Sequence, residues 1–574
     1  MQVIGKVLDF STTRKRVCNA VLRSLLANVT GFTMGAVFTL RLFAAPVLHE
    51  QIDELVRAKA GDVPFAETAD DASFLRRVTL DLTGNIPAPG KVNTFLEDPS
   101  SDKRTDRIDK LISSNDFAVH WADRLTVMLL ERQDQGTVPN EQWRHFLESS
   151  LREKPLWDLM VRHMIEAKGH GPARPAMKFL GTANHHTMTE NIARLFLGMD
   201  LTCARCHDHP SVEAWKQSDY WGLFAYLNQT RQATHKAENQ VYLVEDLATT
   251  KVEFESVFNP GQKTTGPRLP HGKEVEIPAF EEGDQYEKPA EDGLPAVPRF
   301  HPRELLARDL TAADNSLFAR NSVNRMWFLL MGQGLFHPLD EMHDHNPPSH
   351  PQLLNLLGHE FVAHAFDLKW LLREIMLSET YQRDSRLPEG ISQVDHTRYQ
   401  VSSPKNLTPE QLLRAVLRAT GNTRYATALQ AEHEANAEAK KFDRKGYFTG
   451  NNTDLPPSLD EIKSIFAMTF GQSPGEAEVD FTPGLNKALF LMNDRLIQHW
   501  LQPREGNLID RLQKTAEAKE VARKLYLSVL SRLPEAEEQL AVADYLQQNE
   551  SRQTDALGDL AWALLNSAEF RFNH

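Results

Sequence analysis

The chain has 574 residues, of which 41% are hydrophobic and 25% charged, with a mean hydropathy of −0.44. That profile belongs to a soluble globular protein of two or three domains and excludes a disordered or multispanning one. The formal charge of −14, with no basic stripe to offset it, excludes a nucleic-acid partner, because a polyphosphate needs a local cationic excess.

Residues 1–45 predict an export signal or an N-terminal anchor. Arg14, Lys15 and Arg16 precede an uncharged run from Ser24 to Leu40, and the small residues Ala44 and Ala45 follow it. Asn28, Thr30, Thr33 and Thr39 make the run a weak membrane span, so a membrane tether is the alternative to cleavage. Both routes lead to the periplasm or the cell envelope. Of the three cysteines, Cys18 lies in this leader. The exported part then holds only Cys203 and Cys206, too few for a disulfide framework.

The remainder is expected to be mainly α, with two helical domains separated by a small β insertion and a linker rich in Pro and Glu. The first helical domain covers 46–239 and opens on the stripe Leu48, Ile52, Leu55 and Val56. In "FLRRVTLDLTG", Arg76, Arg77 and Asp81 sit among apolar residues, and the carboxylate is expected to pair with one of the arginines. Residues 240–302 hold "QVYLVEDLA", "KVEFESVF" and "KEVEIPAF", three short alternating runs, and then the acidic linker "EEGDQYEKPAEDGLPAVP". The second helical domain covers 303–574. Asn321, Asn324 and Arg325 read as buried polar hubs, and Thr408-Pro409-Glu410-Gln411 as a capped helix start. The polar stretch from Leu429 to Ser458 reads as an exposed helix and loop.

"LTCARCHDHP", residues 201–210, carries the chemistry. Covalent haem needs two thiols to form thioethers and an imidazole beside them to bind the iron. On a helix Cys203, Cys206 and His207 fall at i, i+3 and i+4 and share a face. Trp215, Tyr220, Trp221, Phe224 and Tyr226 follow closely, and are either the wall of a porphyrin pocket or plain core. His209 is too near His207 in sequence to reach the far side of an iron, whereas His185, His186 and Met188 in "TANHHTMTEN" are candidate distal ligands. The same residues admit rivals: Cys203, Cys206, His207 and His209 as a zinc or iron knuckle, or the two cysteines as a redox pair.

A second polar cluster, "HPLDEMHDHNPPSHP" at 337–351, offers Asp340, His343 and His345 as metal ligands or acid–base groups for a metal-dependent hydrolase. Pro347, Pro348 and Pro351 favour the simpler reading of a rigid loop that caps the next helix.

Five segments carry a resemblance. "ADDASFLRRVTLDLTGNIPAP" at 69–89, followed by "FLGMDLTCARCHDHP" and "WKQSDYWGLFAYL", resembles the cytochrome c-like domain of a large planctomycete-type family of exported proteins. Residues 315–385, from "NSLFARNSVNRMW" to "SETYQRDS", resemble the partner domain of unknown function that follows it, and "ALGDLAWALLNSAEFRFNH" is similar to that partner's ending. The resemblance implies haem attachment at Cys203, Cys206 and His207. It supplies no substrate. The expected function is electron transfer, or redox support of a partner enzyme, by an exported protein with haem c. The competing expectation is a non-enzymatic envelope scaffold with a structural zinc or iron, whose second domain contacts an envelope polymer or another protein.

Overall fold

In the helix Asp71–Thr83 every residue from Phe74 onward is buried, although the segment includes two arginines and an aspartate. Its start is fixed by Asp70, whose carboxylate accepts the N–H groups of Ala72 and Ser73, both at 2.9 Å. It ends at Gly84 in the left-handed region, φ 65°. Phe74, Leu75, Val78 and Leu82 face one hydrophobic core, while Leu80 faces a second.

The computed structural model describes residues 47–574 apart from 62–63, 135, 183, 246–250, 259–260, 282, 437–441, 452–453, 457 and 478–484. The expected export segment, with Cys18, lies outside the described residues. The architecture is mainly α, with 56% helix and 7% strand.

The first core joins helices from both sides of the β region. Ile52, Trp121, Trp157 and Phe196 lie in it together with Leu306, Trp327, Leu357 and Ile375. The second is built from Leu407 to Phe570, with Leu80 and Ile86 added. The helix Pro409–Thr420 opens it with the expected capping box: the Gln411 N–H donates to Thr408 Oγ1 at 3.2 Å and the Thr408 N–H to Gln411 Oε1 at 3.0 Å. The helix Thr423–Ala435 buries only Ala426, as its polar sequence requires.

Among the described residues strands occur as four antiparallel pairs: β1 (Thr230–His235) with β2 (Gln240–Glu245), β3 (Val252–Phe254) with β4 (Lys263–Thr265), β5 (Tyr286–Lys288) with β6 (Val297–Pro298), and β7 (Lys405–Asn406) with β8 (Phe572–Asn573). "QVYLVEDLA" and "KVEFESVF" thus supply β2 and β3. "KEVEIPAF" forms no strand. Pro278 lacks a ladder donor, Glu274 accepts the Thr265 hydroxyl at 3.0 Å, and the Val275 N–H bonds Pro267 O at 2.8 Å. The pair β5–β6 arises inside what reads as linker.

Asp81 does not pair with Arg76 or Arg77. Arg76 donates to the carbonyls of Val529, Glu569 and Phe570, and Arg77 to that of Tyr381. Asp81 instead accepts from Tyr381 Oη at 2.9 Å, Lys405 Nζ at 2.8 Å and Asn573 Nδ2 at 2.8 Å. Guanidinium groups reach backbone oxygens that close spacing in sequence does not reveal, and the carboxylate gathers three distant segments of chain.

Candidate functional site

The turn at 203–207 is positioned from both ends. Ahead of it, the π-helical turn Ala193–Leu197 ends at Gly198, φ 69°. A Cβ at Gly198 would lie 2.5 Å from Met342 Sδ and 3.0 Å from Asn321 Oδ1, so only glycine allows the approach. The chain therefore pairs there with the second polar cluster: Met342 N–H to Gly198 O at 2.9 Å and Asp200 N–H to Asp340 O at 2.9 Å. Asp200 then accepts the Thr202 N–H at 3.0 Å and hydroxyl at 2.6 Å, an Asx turn that starts the next segment.

Cys203–Arg205 is a single 3₁₀ turn rather than an α-helix. The N–H groups of Cys206 and His207 share Cys203 O at 3.2 and 3.4 Å, which closes 203–207 into one turn; in 3₁₀ geometry Cys203 and Cys206, at i and i+3, lie on one side of it. Ala204 is its buried anchor, while Cys203 and Cys206 are free, unbridged and exposed. Neighbours hold the turn's carbonyls. Arg205 O accepts Trp221 Nε1 at 3.1 Å and Gln217 Nε2 at 3.4 Å, and Cys206 O accepts the Val257 N–H at 3.1 Å.

His207 Nδ1 lies 2.6 Å from Asp208 O. A carbonyl only accepts, so Nδ1 carries the proton and Nε2 is the bare nitrogen. This donor set, two accessible thiols and an imidazole with Nε2 bare, fits covalent haem. His209 has the opposite polarity: its Nδ1 accepts the N–H groups of Ser211 and Val212 at 3.3 and 3.0 Å. It braces the loop.

Among the distal candidates, Met188 is buried at 1% exposure, and His185 Nε2 is bonded to Thr230 O. His186 is half-buried, with Nδ1 2.6 Å from Tyr220 Oη and its ring stacked on Phe224 at 4.8 Å. Burial, then the nearby Arg205 and His185, hold its pKa below the usual imidazole value. Tyr220 has its own pKa raised by burial, then by Glu190. Of the five aromatics after the motif, Trp215, Tyr220 and Tyr226 are core; Trp221 and Phe224 remain partly exposed.

The loop 337–351 comes against the motif, which neither segment reveals alone. His345 Nδ1 donates to Ser211 O at 2.9 Å. Rings then follow one another: His209 to Trp215 at 5.2 Å, Trp215 to His343 at 5.2 Å, and His343 to His345 at 6.1 Å. Asp340, His343 and His345 are each engaged by a different protein partner. Asp340 pairs with Arg325 and, at 3.5 Å, with Arg194, while His343 Nε2 donates to Glu341 at 3.0 Å. Among the described residues no three His, Cys, Asp or Glu side chains converge as a metal site.

Asn321, Asn324 and Arg325 are hubs, donating to Leu195 O, Phe336 O and Arg194 O respectively. Arg194 and Arg325 also line a cavity of about 340 Å³ with His120, Glu131, Lys405 and Glu410, and its lining includes none of Cys203, Cys206 or His207. Among the described residues, no helix is long and apolar enough to cross a membrane.

Two family models match. Residues 51–232 match PSCyt2, a protein of unknown function (DUF1549), and residues 302–546 match PSD1, a protein of unknown function (DUF1553). No curated protein matches the chain, and no solved structure does. The turn at 203–207 lies in the first matched region and the loop 337–351 in the second.

Proposed function

We propose that this chain, in which a PSCyt2 domain precedes a PSD1 domain, is an exported protein that carries one c-type haem on the turn 203–207 and moves electrons for a partner protein. The observation that supports it is the donor set of that turn: two exposed thiols and an imidazole whose Nδ1 proton is held by Asp208 O. Cys203 and Cys206 would hold the group by thioether bonds, each thiol adding across one vinyl group with its sulfur on one carbon and its hydrogen on the other, so that no oxidant would be needed. When bound, the group supplies a one-electron couple.

The protein's own residues prepare the rest. The Asp208 carbonyl fixes the His207 tautomer and makes Nε2 a stronger donor. His209 holds the loop by its two backbone hydrogen bonds. Of the three distal candidates, Met188 is buried and His185 Nε2 is held by Thr230 O, whereas His186 is half-buried with Nδ1 on Tyr220 Oη and Nε2 outside any hydrogen bond to the described residues. His186 is the residue that would supply a second nitrogen to the iron. Export, to the periplasm or cell envelope, rests on the N-terminal sequence.

The test is the full chain made with a cytochrome maturation system and run on a denaturing gel stained for haem. The expected result is a haem-positive band that is lost in Cys203→Ala and Cys206→Ala. Stoichiometric zinc with no Soret band would overturn the reading in favour of a structural metal in an envelope scaffold.

A further inference from the structure

Val257 and Phe258 are two adjacent large apolar residues at 66% and 71% exposure, in the turn that follows β3. Their segment is fastened to the cysteine turn. The Val257 N–H donates to Cys206 O at 3.1 Å, and Gln217 Nε2 bridges Glu255 O at 3.0 Å and Arg205 O at 3.4 Å. Phe254 stacks on Trp221 at 5.8 Å with the planes 11° apart, and the Trp221 indole in turn donates to Arg205 O. The Phe258 ring lies 4.9 Å from the His207 ring.

Leaving a phenylalanine and a valine in water forgoes the stabilisation that burying them would bring. Scattered exposed apolar residues are ordinary, but this pair sits against the one turn that offers two free thiols and an imidazole. We propose that the turn 255–258 is the apolar cover of the porphyrin bonded to Cys203 and Cys206, and that Phe258 positions the His207 ring. The inference rests on the haem reading above. It gives the small β insertion a cofactor-shielding role that neither matched domain model spans, since 252–265 falls between 232 and 302.

The test uses the full chain, matured with haem, beside the haem-free Cys203→Ala/Cys206→Ala variant. Amide exchange across Phe254–Phe258 is expected to be at least about tenfold slower in the haem-bearing protein, as for a loop that gains a packed face. Phe258→Ser is expected to keep covalent haem but to shift its midpoint potential downward, because water reaching the iron's surroundings favours the oxidised form. Phe258→Leu restores the wild-type potential. Attached haem with unchanged exchange, or an unmoved potential in Phe258→Ser, would overturn the cover. Absence of attached haem would overturn the functional reading, and the cover with it.

Discussion

Replacing Asp81 with alanine tests the packing that holds the chain's distant segments together. Its carboxylate is 5% exposed and binds Lys405 Nζ, itself 17% exposed. It also accepts from Tyr381 and Asn573, which are 1% and 2% exposed. Burial pulls the Lys405 pKa below its usual value, with Asp81 opposing the shift. Removing one member of a buried ion pair costs about 3–5 kcal/mol, and each buried donor left without an acceptor costs about 1–3 kcal/mol. Lys405 keeps the carbonyls of Leu329 and Leu330 at 3.4 and 2.5 Å, which offsets part of that sum. Asp81→Ala should therefore destabilise by about 5 kcal/mol, read as a lower urea midpoint at unchanged slope. Asp81→Ala/Lys405→Met should be more stable than Asp81→Ala, because the second change removes the stranded ammonium. A single-variant loss under about 1 kcal/mol, or a double variant weaker than the single, would refute the idea that this carboxylate joins the helix Asp71–Thr83 to β7 and β8.

Acid should weaken the fold through His350, which is 3% exposed and whose pKa burial pushes down to about 4. The unfolded chain takes up a proton near pH 6.5 and the folded chain does not until about pH 4, so stability falls as pH drops through that window. Going from pH 7 to pH 5 the loss is about 2 kcal/mol; His350→Phe should flatten the profile by that amount, and an unchanged profile would rule His350 out. Thr408→Ala should cost about 1 kcal/mol in urea unfolding by removing one half of the capping box, and Thr408→Ser should restore most of it. His209→Phe keeps a ring beside Trp215 but leaves the N–H groups of Ser211 and Val212 without their acceptor. It should raise amide exchange at those two positions about tenfold while Cys203 and Cys206 stay equally reactive; a slowed or unchanged exchange would show that His209 does not brace the loop.

Local physics made several of these elements readable from sequence. Thr408-Pro409-Glu410-Gln411 encodes its own cap, and Asn321, Asn324 and Arg325, polar residues in an apolar helix, had to find buried partners. The spacing of Cys203 and Cys206 puts both thiols on one side of a single turn, whether α or 3₁₀, whereas His207 at i+4 shares that side in an α-helix but stands about a third of a turn away in a 3₁₀ one. What was not readable depends on residues far apart in the chain. His345 meets Ser211 across 134 positions, and Asp81 meets Lys405 and Asn573 across 324 and 492; no periodicity announces such pairings. β1 carries no strand signal of its own, because "TRQATH" lacks an apolar alternation, and β2 supplies its ladder. Gly198 was the one local clue to the meeting of the two polar segments, as a glycine that a Met342 side chain needs to approach.

The central claim is most directly tested by the chemical state of Cys203 and Cys206 in the protein purified from its own cell envelope. After denaturation and acidic solvent extraction, the account predicts one haem retained per chain, on the peptide spanning Thr202–His209, with neither thiol open to alkylation. A haem-free peptide whose two cysteines both alkylate fully would contradict it.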